Sequence, residues 1–151
     1  MKRFSFSLEK ILVYKDSILD KEKNALGEIR QEKSQKEIQI RELEERLRGV
    51  FLEKDECILN GGSPMEMLNY KVFIDTLKIK IQEAKNELLE IEDREWEQTM
   101  VVAEASKDVK RYENLKEKKL EEYRLYLTKK EQEEISEFVS SSYAKNQIDG
   151  D

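Results

Sequence analysis

The sequence contains no histidine, and this absence removes the usual general base at neutral pH and the commonest metal ligand. Cys57 is the only cysteine, so the chain cannot form an intramolecular disulfide or a thiolate metal site. A lone cysteine fits a reducing compartment such as the cytoplasm. We therefore expect no metal ligand set and no catalytic centre built on histidine or thiolate.

Glycine and proline are also scarce, with five glycines and one proline in 151 residues. A compact globule needs turns, and turns use Gly, Pro, Asn and Asp. Charged residues make up 41% of the chain, whereas hydrophobic residues make up 38%. A charged, turn-poor chain with regularly spaced apolar residues is typical of a long helix or a coiled coil.

Long apolar runs are missing too, since none approaches the roughly 18 residues that a membrane span needs. The first seven residues carry charge but no apolar core, so they do not resemble a secretory signal. Gly61-Gly62 is not part of a phosphate-binding loop. The many carboxylates would lie exposed on a thin coiled coil, where nothing desolvates them for acid–base catalysis. We predict no enzymatic activity, no cofactor and no small-molecule substrate.

The net charge is −6, and acidic and basic residues are mixed along the chain. A general nucleic-acid binder would carry a basic face, so we predict no nucleic-acid partner. Residues 107–130 are the basic stretch, with nine basic and five acidic side chains interleaved. Such a stretch is either a solvated helix face or a binding surface.

One turn signal organises the chain, at Asn60-Gly61-Gly62-Ser63-Pro64. Gly61 or Gly62 can adopt the left-handed conformation that ends a helix. Ser63 is suited to cap the next helix, with Pro64 at its first position and Glu66 three residues after the cap, as in a capping box.

These signals predict a single coiled-coil hairpin over residues 1–151. Helix 1 spans about 7–60, the turn spans 61–63, helix 2 spans about 64–140, and 141–151 form a flexible tail. The connection is so short that the two helices should be antiparallel neighbours. The fold class is therefore all-α, with two long helices in an antiparallel coiled coil.

Apolar residues recur along both predicted helices at alternating steps of four and three residues, and we call the resulting stripe on each helix its seam. The mean step of 3.5 residues is the period of a left-handed coiled coil, so it supports the predicted hairpin. In helix 1, ten of fifteen seam positions are apolar. These fifteen positions are Leu8, Leu12, Lys15, Leu19, Glu22, Leu26, Ile29, Lys33, Lys36, Ile40, Leu43, Leu47, Val50, Lys54 and Cys57. In helix 2, twelve of fourteen are apolar. These fourteen positions are Met67, Tyr70, Ile74, Leu77, Ile81, Ala84, Leu88, Ile91, Glu95, Gln98, Val102, Ala105, Val109 and Tyr112.

Folding the chain at residue 62 makes the numbers of facing residues add to about 124, so that Leu47 faces Leu77. Beyond Tyr112 the stripe shifts to Leu120, Tyr123 and Leu127, consistent with a stutter. Helix 2 is longer, and its residues from about 117 to 140 should project beyond helix 1. Lysines at seam positions can lay their stems along the groove and help to fix the register.

Three segments resemble the FliJ family of flagellar export proteins. The first is Phe4-x-Phe6-x-Leu8-Glu9-Lys10-Ile11-Leu12-x-Tyr14-Lys15. The second, after the turn, is Asn69-Tyr70-x-x-Phe73-Ile74-x-Thr76-Leu77-x-x-x-Ile81. The third comprises Glu113-x-Leu115-Lys116-Glu117-Lys118, Glu121-Glu122-Tyr123-Arg124 and Glu131-Gln132. The second is the most specific, because it fixes aromatic and aliphatic positions rather than charges.

This resemblance implies a cytoplasmic component of the flagellar type III export apparatus, peripherally associated with the inner face of the cell membrane at the flagellar base. The implied partners are the hexameric export ATPase, the cytoplasmic domain of the export gate, and export chaperones. Family members look like the stalk of rotary ATPases, with the free helix ends entering the ATPase ring.

The family's gate-binding face maps onto Phe73, Leu77, Lys80 and Ala84, with Lys80 at a position where a small residue is typical. For the ATPase we hypothesise a contact through the basic stretch, by Lys116, Lys118, Lys119 and Arg124. Three other functions remain open: the equivalent stalk of a virulence-type secretion system, a purely structural coiled-coil spacer, and a chaperone that clamps unfolded clients.

Overall fold

The computed structural model describes residues 3–149 and contains two α-helices. Helix α1 is Glu9–Leu59, with 51 residues, and helix α2 is Pro64–Asp149, with 86 residues. The two helices pack against each other as an antiparallel coiled-coil hairpin, and residues 3–149 contain no strand. The predicted fold class is confirmed, including the greater length of the second helix.

The turn resolves which glycine ends α1. Gly61 has a φ of 77°, in the left-handed region, and its N–H donates to the Ile58 carbonyl at 3.2 Å. The Gly62 N–H donates to the Cys57 carbonyl at 2.9 Å. These two bonds define a Schellman motif with Gly61 just after the last helical turn.

The start of α2 is capped by Ser63, as predicted. The Glu66 N–H donates to Ser63 Oγ at 3.2 Å, which satisfies one of the free donors of the first turn. The Glu66 carboxylate, which a capping box would turn back toward the Ser63 N–H, instead accepts a hydrogen bond from Cys57 Sγ at 3.1 Å. The turn is thus tied to the last turn of α1 through a side chain as well as through the backbone.

The chain divides into two compact units, Leu19–Glu104 and Met1–Ile18 with Ala105–Asp151. In the first unit, Val50, Ile74 and Leu77 form a buried cluster, against which Leu43 and Leu47 pack. Val50 and Ile74 have numbers that add to 124, as predicted for facing residues. Removing such side chains from water is the main stabilising contribution, at roughly 25 cal/mol per Å² of apolar surface.

Every position of both predicted seams is buried or half-buried in its unit. The buried seam residues, which are 2–8% exposed, are Leu12, Leu19, Leu26, Ile40, Val50, Ile74, Leu77, Ile81, Ala84, Ile91 and Val109. The 3.5-residue period therefore identified the packed faces of α1 and α2 correctly along the whole length over which both helices run.

Three of the four seam lysines meet carboxylates of α2. Lys33 Nζ lies 3.1 Å from Glu95 Oε2, Lys15 Nζ lies 3.7 Å from Asp108 Oδ2, and Lys36 pairs with Glu87. These lysines are half-buried, so their stems contact the seam while their ammonium groups are paired at its edge.

In the second unit, the residues that precede α1 pack against α2. Phe6 is buried, and the Phe4 ring lies 5.6 Å from the Tyr123 ring in a tilted arrangement. Residues 3–6 are not helical, and a non-helical chain covers roughly 3.3 Å per residue against about 1.5 Å in a helix. A few residues therefore cover two further turns of α2, and Leu120 and Leu127 are half-buried. The predicted start of the projection near residue 117 was too early, since continuous exposure begins at residue 128.

Helix α2 also ends later than predicted, at Asp149 rather than near residue 140. Residues 141–149, expected as the start of a flexible tail, are helical, and Gly150 and Asp151 of that tail lie outside the described residues. The serines at 140–142 suggested an end, but serine inside a helix costs only a few tenths of a kcal/mol relative to alanine. Because residues 65–149 contain no Gly or Pro, no helix-breaking residue ends α2 earlier.

Candidate functional site

The face assigned to the gate by resemblance is only partly at the surface. Leu77 and Ala84 are 2% and 4% exposed, because they lie in the packed face of α2 that α1 covers. Phe73 is 38% exposed and Lys80 is exposed. Of the four predicted residues, therefore, Phe73 and Lys80 can touch a partner directly, whereas Leu77 and Ala84 support them from the core.

Phe73 is partly covered by a residue of α1 that the sequence analysis did not single out. The guanidinium carbon of Arg46 lies 5.3 Å from the centre of the Phe73 ring. A cation over an aromatic face is attracted by the ring's quadrupole. Any surface that uses Phe73 consequently includes Arg46, and so draws on both helices.

The four basic residues assigned to the ATPase do not form a single patch. Lys116 Nζ lies 2.8 Å from Glu9 Oε2, and Lys119 and Arg124 pair with carboxylates of their own helix. Lys118 is exposed and makes no ion pair within residues 3–149. At about 100° per residue, Lys118 lies roughly 200° around α2 from Lys116. Lys118 is therefore the cation of this set most available to a partner.

The projecting part of α2 carries an apolar stripe that the sequence analysis missed. Ile135, Phe138, Val139 and Tyr143 recur at three- and four-residue spacing, so they share one face of the helix. They are 58–74% exposed. The spacing is visible in the sequence, but the serine run at 140–142 suggested a helix end and so placed Tyr143, one of the four stripe residues, in the predicted tail.

At the turn, three polar side chains form a small cluster. Cys57 Sγ donates to Glu66 Oε2 at 3.1 Å, and this hydrogen bond, followed by burial, raises the pKa of the Cys57 thiol above its usual value. Burial, followed by the nearby Cys57 and Glu53, raises the pKa of Tyr70. Both groups are thus held in the neutral form, which makes Cys57 a poor nucleophile.

Two other kinds of feature, a metal-binding cluster and a membrane span, can be looked for in the same residues. Within residues 3–149, no group of three or more His, Cys, Asp or Glu side chains is arranged to hold a metal ion. In the same residues, neither helix has a segment sufficiently long and apolar to traverse a bilayer.

Comparison with known proteins finds a matching protein family. The model of the family described as "Flagellar FliJ protein" matches residues 4–147, which is nearly the whole chain. The match covers all three segments on which the resemblance was based. No curated protein and no solved structure matches the chain.

Proposed function

Because the chain belongs to the flagellar FliJ family, and is thus a protein associated with flagellar export, we propose that it binds the export ATPase hexamer as a stalk-like coiled coil. In this proposal it also links the ATPase to the cytoplasmic domain of the export gate and to export chaperones. It acts in the cytoplasm, peripherally at the inner face of the membrane at the flagellar base.

The observation that carries the ATPase contact is the projection of α2. Residues 128–149 are helical and exposed throughout, and their stripe of Ile135, Phe138, Val139 and Tyr143 has no covering element within the described residues. A contiguous exposed apolar surface of this kind marks an interaction site in soluble proteins. In this proposal the exposed helix enters the central opening of the ATPase ring.

The basic stretch supports the same contact through electrostatics. Lys118 is exposed and unpaired within residues 3–149, and Lys119 and Arg124 make only exposed pairs within their own helix. Exposed pairs contribute little stability, so they exchange easily for carboxylates of a partner. Lys116 is the least available of the four, because it ties α2 to Glu9.

The gate contact rests on Phe73 and Lys80, with Arg46 beside the Phe73 ring. Phe and Arg are both enriched in protein–protein interfaces relative to the rest of the surface. Leu77 and Ala84 contribute by holding this part of α2 against α1.

ATP hydrolysis by the cognate export ATPase, measured with and without this protein, tests the main proposal. We expect stimulation at less than one copy per ATPase monomer, because one stalk serves a whole ring. Replacing Phe138 and Val139 together by Glu should abolish stimulation, and Lys118→Glu should weaken it. Lys23→Glu, an exposed charge change in α1, is the matched control and should leave stimulation unchanged.

Circular dichroism of each variant shows whether helicity is kept, as expected for substitutions at exposed positions. If the native chain neither stimulates the ATPase nor co-sediments with it, the stalk proposal is wrong. The purely structural spacer, or the stalk of a virulence-type system, would then be the better interpretation.

The gate contact has a separate test, in which binding to the purified cytoplasmic domain of the export gate is measured by calorimetry. Phe73→Ala and Lys80→Glu should each weaken binding, since both side chains are exposed. Trp96→Ala, which removes a large exposed aromatic elsewhere on α2, should not. Equal losses for all three variants would contradict a contact at this face.

A further inference from the structure

The first turns of α2 are apolar on two opposite faces, and α1 covers only one of them. Tyr70, Ile74, Leu77 and Ile81 form the face packed on α1. Val72 and Ile79 lie about 200° around the helix from Ile74 and Leu77, respectively. Together with Met65 and Leu68 they make a second apolar stripe, here termed the outer seam, whose members are 56–67% exposed.

The outer seam has the spacing of a helix-packing surface. Its members follow one another at three, four and seven residues, which is the heptad spacing of the seam that α1 occupies. The stripe extends over roughly 21 Å, or about four helical turns. A partner that matches such a stripe over this length is another helix with an apolar face of the same period.

The charged residues that border the outer seam indicate the sign of the charge on a partner helix. Lys71 and Lys78 border one side of the stripe, and Lys80 borders the other. Lys71 and Lys80 are exposed and make no ion pair within residues 3–149, and Lys78 lies 5.8 Å from the centre of the Phe51 ring. Acidic side chains at the borders of a partner helix would pair with these lysines, as e and g positions do in coiled coils.

One polar residue, Asp75, interrupts the apolar stripe and restricts which partner can dock on it. Asp75 occupies the seam position between Val72 and Ile79 and is exposed, with no ion pair in the described part of the chain. A single polar residue in a seam fixes register and orientation. It also disfavours a lipid surface, because a carboxylate on the apolar face would have to leave water.

We propose that the outer seam, Met65, Leu68, Val72 and Ile79, docks an amphipathic helix of a partner protein that has carboxylates on both borders and one basic residue opposite Asp75. The apolar residues of this surface are distinct from Phe73 of the gate face, which lies roughly 100° around α2 from Val72, and Lys80 at the border is the one residue assigned to both surfaces. The proposal therefore stands whether or not the gate contact is correct.

The test uses the full chain and a synthetic helical peptide of about 21 residues, with leucine at the seam positions, one central arginine and glutamate on both borders. Fluorescence anisotropy should detect binding with a Kd below about 1 mM. A matched peptide with lysine in place of the border glutamates should bind at least about tenfold more weakly, because attraction to three lysines becomes repulsion.

Chain variants then locate the contact. Replacing Leu68 and Val72 together by Glu should reduce binding of the acidic peptide at least about tenfold. Leu52→Glu, at an equally exposed apolar position on the outer face of α1, is the matched control, and Phe73→Ala tests the gate face. Both should leave peptide binding unchanged, and all variants should keep the native helicity because these residues are exposed.

Several results would overturn the proposal. Equal binding of the two peptides, or equal loss with Leu52→Glu, would remove the specific surface. Co-sedimentation with vesicles of phosphatidylcholine and phosphatidylglycerol that is lost in the Leu68 and Val72 variant would make the stripe a membrane contact. Concentration-dependent dimerisation of the chain alone, lost in the same variant, would make the occupant a second copy.

Discussion

Lys33 Nζ lies 3.1 Å from Glu95 Oε2, and the two residues occupy seam positions of α1 and α2. Arg30 Nε lies 3.7 Å from the other oxygen of the same carboxylate. The hydrogen bond to Glu95 and its charge raise the pKa of Lys33 above the ordinary value of 10.5. Two polar residues that would each weaken an apolar seam thus form an ion pair across it, and this pair favours the register in which they meet.

Removing one partner of this pair should cost more stability than removing both. Glu95→Leu leaves the half-buried Lys33 without its nearest carboxylate, whereas combining Lys33→Leu with Glu95→Leu restores an apolar seam. We expect the double variant to melt above Glu95→Leu and above the native chain. Thermal unfolding by circular dichroism checks this order, and a double variant that melts lowest would contradict it.

The same pair predicts a pH dependence. The pKa of Lys33 is raised in the folded state, so the pair's stabilisation is fully present below the ordinary value of 10.5. It should be lost as pH rises through the folded-state pKa. Melting at pH 9 and at pH 11 should therefore differ more for the native chain than for Glu95→Gln. Equal differences would show that Lys33 does not contribute to the pH dependence.

Replacing either glycine of the turn should lower the stability of the folded chain. Gly61 has a φ of 77°, so Gly61→Ala should cost about 1 kcal/mol from backbone strain. A Cβ atom on Gly62 would lie 2.7 Å from Cys57 Sγ and 3.0 Å from the Cys57 carbonyl oxygen, so Gly62→Ala should also destabilise.

Gly27→Ala is the matched control for the turn variants. Gly27 is inside α1 with nothing within 4 Å of an added Cβ, so alanine should stabilise by about 0.5–1 kcal/mol. Urea unfolding measures all three variants. A turn variant that stabilises as Gly27→Ala does would mean that the Schellman geometry is not required.

The sequence predicted the helix faces well because they depend on a repeating pattern, and it predicted the ends poorly because they depend on single contacts. Leu47 and Leu77 could be placed in one seam from spacing and from the position of the Gly-Gly turn. The burial of Phe6 and the contact of Phe4 with Tyr123 could not be predicted, because the residues before Glu9 pack on α2 without being helical. For the candidate sites, spacing placed Leu77 in the seam, where it is buried, but spacing could not show that Arg46 lies over the Phe73 ring.

Cys57 should react slowly with alkylating reagents. Its thiol donates a hydrogen bond to Glu66, and this bond, with burial, raises the pKa of Cys57 above the ordinary value of 9.0. Removing the charge with Glu66→Gln should lower the thiol's pKa, so the thiolate fraction at pH 8 and the iodoacetamide rate should rise. Ser63→Ala weakens the cap without touching the thiol's partner, and serves as control. A rise of equal size in both variants would indicate local opening rather than loss of the hydrogen bond.

Phe6 should anchor the residues that precede α1 to α2. It is buried, so Phe6→Ala should cost about 2–3 kcal/mol within its unit, from lost apolar contact and an incompletely filled space. We expect faster amide hydrogen exchange at residues 117–127, whose half-buried stripe of Leu120 and Tyr123 would lose its cover. Leu125→Ala, at an exposed position of the same stretch, should change stability by less than about 0.5 kcal/mol and leave exchange unaltered. Unchanged exchange in Phe6→Ala would mean that this part of α2 is stable without the segment, and that the free helix begins near residue 117 as the sequence pattern first indicated.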